Sequence, residues 1–159
     1  TRGEILAAYV TQAVPRGLSP QETIRRLRDQ GAFISVSHPF DVYRSGHWEI
    51  SDLERIAPLV DAIEVFNSRY IVGSANKKAA RFAKKLGKAC VGGSDAHNAR
   101  YVGYGRTLVD ASSPDIPSIL QAIRSGKTSA TGRMTPLRTY TRQSLRNTWK
   151  KLKRRVYHR

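Results

Sequence analysis

A single cysteine, Cys90, among 159 residues excludes an intramolecular disulfide framework and fits a reducing compartment, so a cytoplasmic location is expected. No apolar run approaches the ~18 residues of a membrane span, and no signal-peptide core opens the chain. Apolar residues make up 40% of the total, low for a globular chain but too many for a disordered one. An initiator methionine is also missing. The chain starts at Thr1 in mid-pattern, which gives the expectation of a fragment or processed product.

Acidic residues are absent from the last 44 positions, which carry 12 of the 28 Lys+Arg; residues 1–115 hold all 12 Asp+Glu. The formal charge of +16 therefore belongs mostly to the C-terminal end. Two regions are expected: a near-neutral α/β body over 1–132 and a basic tail over 133–159. In the tail, Leu145, Trp149, Leu152 and Val156 recur at helical spacing among Arg and Lys, predicting an amphipathic helix over 141–157. Such a helix can dock on protein, lie on an anionic membrane surface, or hold nucleic-acid phosphates.

Within the body, Ser19-Pro20-Gln21-Glu22 and Ser51-Asp52-Leu53-Glu54 have the form of capping boxes that open helices. Further helices are predicted from about Ser74 to Leu86 and from Pro114 to Arg124, with glycines as stops. Short β-prone runs lie at 32–36, 62–66, 89–92 and 107–109. Strands alternating with helices predict βαβ units and a parallel sheet, with ligands beyond the carboxyl ends of the strands. Three polar clusters fall at such ends: Ser37-His38, Asn67-Ser68-Arg69 and Ser94-Asp95-Ala96-His97.

In extended backbone, residues two apart point the same way, so Asp95 and His97 can face one metal ion. His38 has the equivalent place two strands earlier and reads equally as a ligand or as a structural hydrogen-bonder. Mixed His and Asp ligation suits Zn, Mn or Fe. Arg69 and Arg44 are candidate phosphate contacts, because guanidinium matches phosphate bidentately, and each reads also as a solvated arginine. Asn67 can position its loop or a substrate. Asp41 is placed to orient the His38 side of the site. His47 and Trp48 are read as a surface pair and Cys90 as a small core residue. For Glu64, strand alternation leaves the inward or outward direction open.

Val36-Ser37-His38-Pro39-Phe40-Asp41, Ile63-Glu64-Val65-Phe66-Asn67-Ser68-Arg69 and Gly93-Ser94-Asp95-Ala96-His97, in this order, resemble the PHP (polymerase and histidinol phosphatase) family of metal-dependent phosphoesterases. The resemblance covers roughly 1–132 and implies the C-terminal portion of a distorted (β/α)7 barrel holding two or three divalent ions. It further implies His38, Asp95 and His97 as metal ligands, a metal-bridging hydroxide as nucleophile, and a small phosphorylated molecule or nucleotide as substrate. The family's opening H-x-H, a further His and a bridging Glu have no counterpart here, so the ligand set of this chain is expected to be incomplete. The competing reading is a non-catalytic barrel remnant that binds nucleic acid or an anionic membrane surface through its tail. The oligomeric state is not legible.

Overall fold

The computed structural model describes residues 3–44 and 46–139. The helix expected over 141–157 lies outside the described residues. Among the described residues, six strands and four α-helices follow in order: β1 (Ile5–Ala8), α1 (Pro20–Arg28), β2 (Phe33–Val36), α2 (Ile50–Ile56), β3 (Ala62–Asn67), α3 (Ser74–Lys85), β4 (Ala89–Gly93), β5 (Gly105–Val109), α4 (Ile116–Arg124) and β6 (Thr128–Gly132). Strands β1 to β4 form one sheet in sequence order, and β5 and β6 form a second, two-stranded sheet. β2, β3 and β4 run parallel, as the alternation of strands and helices predicts. β1 joins β2 antiparallel.

The core lies between this sheet and its helices. Ile34, Val36 and Ile63 from the strands meet Ile24 and Leu27 of α1, Leu53 and Ile56 of α2, and Ala79 and Ala83 of α3. Small alanines on α3 let that helix approach β3 closely. Ser19 caps α1 by accepting a hydrogen bond from the Glu22 amide at 3.2 Å. The other half of the predicted box is not made. The Glu22 carboxylate turns instead to Arg25 and Arg26, at 2.8 and 2.7 Å.

Two expectations need correction. α2 begins at Ile50 with Glu49 at its cap, so Ser51 sits within the first turn and no Ser51 box opens the helix. Trp48 is a core residue rather than half of a surface pair. The reason is Gly3, whose positive φ of 84° and missing side chain let the indole lie on its backbone; a Cβ there would come 2.1 Å from the ring. With Trp48 buried, the start of α2 is anchored by packing, and a serine cap is not required.

The two-stranded β5–β6 sheet, whose strands are joined through α4, stands beside β4 through glycine contacts. Thr107 Oγ1 accepts from the Gly92 amide at 2.9 Å and donates to the Gly92 carbonyl at 3.2 Å. A Cβ on Gly105 would lie 2.0 Å from the Gly93 carbonyl oxygen. No described helix is long and apolar enough to cross a membrane.

Because Ile34 is fully buried at the sheet centre, Ile34→Ala should cost about 2–5 kcal/mol of unfolding free energy. Leu108→Ala, at a half-exposed position on β5, should cost under about 1 kcal/mol. Urea unfolding of the two variants measures the contrast, and equal losses would contradict this placement of the core.

Candidate active site

The carboxyl ends of β2, β3 and β4 converge on one polar cluster. His38 and Asp95, just past β2 and β4, both adopt positive φ, 31° and 48°; Tyr9 is the other described non-glycine residue to do so. A left-handed backbone at a residue with a side chain costs on the order of 1–3 kcal/mol and persists where neighbours hold it. For His38 the holder is visible. The Glu64 carboxylate accepts a hydrogen bond from the His38 amide at 2.7 Å and another from Asn67 Nδ2 at 3.0 Å.

Glu64 thus points inward and is almost fully buried. The β3–β4 register shifts between Glu64 and Phe66, a bulge of the kind that re-aims side chains at strand ends. Gly93 provides the space: a Cβ there would stand 2.2 Å from Glu64 Oε1. Burial raises the pKa of Glu64, and the bonds from Asn67 and the His38 amide oppose that rise.

Around this centre the other candidates take defined places. His38 is buried, and its Nε2 lies 3.2 Å from Glu4 Oε2. Desolvation lowers its pKa, and Arg44 adds to the effect. Arg44 pairs its Nη2 with Asp95 Oδ2, and its Nε lies 3.4 Å from Asp41 Oδ2. Asp41 also donates its amide to the His38 carbonyl at 3.2 Å, which ties it to the His38 turn. His97 is exposed, and its Nδ1 lies 2.9 Å from the Asp95 carbonyl oxygen. That oxygen can only accept, so Nδ1 carries the hydrogen and the Nε2 lone pair of the neutral ring is free. Second-atom bonding of this sort is how proteins orient histidine ligands.

Asn67 joins the buried carboxyl group to the Arg69 loop. It is 1% exposed, its Nδ2 is given to Glu64, and its Oδ1 accepts the Arg69 amide at 2.8 Å. Arg69 is half-buried beside it. Ser68, fully buried, donates its hydroxyl to the Ser94 carbonyl at 2.7 Å. Its backbone bonds to Gly93 and Thr135, so Ser68 ties together two strand ends and the segment after β6. Sequence reading assigned no role to this residue. It also missed the Glu4–His38 and Arg44–Asp95 contacts, because both join residues far apart in the chain.

Imidazole and carboxylate are suitable donors for Mn, Zn or Fe. Three such side chains do not converge on one point among the described residues, however. Arg44 occupies Asp95, and His38 faces Glu4. Taken by themselves, these residues do not make a closed metal site.

A family model described as PHP-associated (PHP_C) matches residues 73–128. One uncharacterized protein of Methanocaldococcus jannaschii is 36% identical over 98 residues, covering 60% of this chain and 41% of the relative. A second from the same organism is 34% identical over 77 residues, covering 48% of this chain and 42% of the relative. The crystal structure of a two-domain protein from Bacteroides vulgatus, containing a predicted PHP-like metal-dependent phosphoesterase, superposes with a TM-score of 0.63 at 19% identity. That match covers 81% of this chain and 40% of the other, and it shows a shared fold. The chain spans about two fifths of the length of each of these proteins.

The lowered pKa of His38 has a consequence for stability. The imidazole's contribution is complete above the ordinary value of 6.5 and is lost as pH falls from there toward the folded value, because the unfolded chain takes up the proton first. The slope cannot exceed about 1.4 kcal/mol per pH unit. A His38→Gln variant should lack this component, so its unfolding free energy should change less than that of the wild type between about pH 7 and pH 5.5. Identical changes in urea titrations at the two pH values would refute it.

Proposed function

We propose that the chain is a C-terminal portion of a PHP-type protein, a reading supported by the PHP-associated match over 73–128 and the shared fold, and that it forms part of a metal-dependent phosphoesterase acting on a small phosphorylated molecule or nucleotide. The observation that supports this reading is the pairing of two strained residues, His38 and Asp95, at the ends of β2 and β4 around the buried carboxylate of Glu64. Strain held at two strand ends that flank β3 is costly for a purely structural loop and useful for a site that fixes ligand geometry.

In this proposal His38, Asp95 and His97 are metal ligands in the longer protein, where further strands complete the barrel and supply the remaining donors. A divalent ion, Mn, Zn or Fe, would contribute Lewis-acid charge and an activated water. The residues of this chain have separate tasks. Glu64 and Asn67 hold the His38 turn and the Arg69 loop in place. His97 keeps Nε2 available by bonding through Nδ1. Arg44 and Arg69 are the proposed phosphate contacts. For Arg44 this role requires release from Asp95, so ligand binding at Asp95 would free a guanidinium for phosphate.

In the longer protein, Asp95→Ala and His97→Ala should each lower Mn-dependent hydrolysis of a phosphomonoester by at least ~100-fold in kcat/KM, since even residues supporting a ligand are worth 10–100-fold. Circular dichroism would verify folding. Full activity in both variants would sink the ligand assignment.

A further inference from the structure

Beside the polar cluster lies a cleft of about 200 Å³ between the loop that follows β2 and the loop that joins β3 to α3. Phe40, Val42 and Tyr43 form one wall, and Tyr70, Ile71 and Val72 form the other. Tyr70 is buried, with its hydroxyl accepting from the Phe40 amide at 3.3 Å, so the walls are tied together at the base. At the mouth the pattern reverses. Val42, Tyr43, Ile71 and Val72 are 63, 68, 50 and 42% exposed. Four large apolar side chains that converge in this way, on a chain with strongly basic composition, are a concentrated patch rather than isolated surface residues.

The cleft is continuous with the candidate site. Asp41 lines it and also faces Arg44, which in turn holds Asp95. A molecule with its phosphoryl group near Arg44 would therefore carry its organic part toward Tyr43 and Ile71. Size narrows the class of that part. An apolar cavity of roughly 150 Å³ accommodates benzene, whereas whole drug-sized ligands need roughly 300 Å³ or more. One ring fits; a polymer does not. Exposed Tyr43 offers a stacking face, and Lys78 and Asp41 place a donor and an acceptor in the lining for ring substituents.

We propose that this cleft is a specificity subsite for the planar aromatic group of a phosphate ester. The inference rests on the phosphoesterase reading for the phosphate, but the ring-binding surface can be tested without it. Methyl-resolved NMR of the full chain, titrated separately with phenyl phosphate, methyl phosphate and phenol, provides the readout. Phenyl phosphate and phenol should both shift the Val42, Ile71 and Val72 methyls. Phenyl phosphate should bind at least ~10-fold more tightly than methyl phosphate, as burial of one ring permits. Tyr43→Ala should weaken phenol binding by roughly 2–10-fold, the range of an aromatic pair. Val72→Trp should fill the cleft and abolish the methyl shifts; Tyr43→Ala, at an exposed position, is the variant least liable to disturb folding.

Absence of phenol-induced shifts at these methyls up to its solubility limit would overturn the subsite. So would shifts that follow protein concentration without any ligand, which would assign the patch to a second copy of the chain. Phenol has no phosphate, so failure of the longer protein to hydrolyse esters would remove the phosphoesterase reading while leaving the phenol result to decide the cleft.

Discussion

The Glu64 carboxylate is the point on which the rest of the site depends. A buried carboxylate is costly unless hydrogen-bond donors surround it. Here the donors come from the two neighbouring strand ends: the His38 amide beyond β2 and the Asn67 side chain at the end of β3. The third side is Gly93 of β4, which has no side chain to exclude the carboxylate. One carboxyl group thus ties the ends of β2 and β3 by hydrogen bonds and lies against the end of β4. The first of these bonds holds the turn at His38, whose backbone is left-handed.

Much of the frame was legible in the sequence for local reasons. α1, α3 and α4 have apolar faces at helical spacing and a glycine immediately after their last turn, and each was found within about two residues of its expected limits. β2 and β3 are short apolar runs between turn residues, and β4 is similar. β1 and β6 were not seen. Their sequences, ILAA and TSATG, mix strand-favouring Ile and Thr with Ala, Ser and Gly and show no strict alternation, and they become strands through partners in β2 and β5. Trp48 was misplaced for a related reason. A loop has no periodicity, and the backbone of Gly3, more than forty residues earlier, creates its burial.

The site divides along the same line. His38, Asn67, Asp95 and His97 could be selected because strand ends in a parallel α/β fold converge, a rule that needs only the order of elements. The direction of Glu64 could not, since the bulge between Glu64 and Phe66 breaks the alternation from which it would be read. The contacts of Arg44 with Asp95 and of His38 with Glu4 span 51 and 34 positions. No local pattern encodes such pairs. The first arises when the loop after β2 folds over toward the end of β4, and the second follows from the antiparallel pairing of β1 with β2.

That loop also explains how the cluster tolerates its own charge. Asp41, Glu64 and Asp95 bring three carboxyl groups to one end of the sheet, and like charges at short range oppose one another. Arg44 answers two of them directly, while burial biases Glu64 toward its neutral form. Partner and desolvation thus each remove part of the repulsion. Any other cation that binds Asp95 has to compete with Arg44. Displacing this arginine frees a guanidinium on the segment that also contains Asp41, Val42 and Tyr43. The electrostatic balance of the polar cluster and the shape of the adjacent apolar cleft are therefore set by the same few residues, and a change in one is felt in the other.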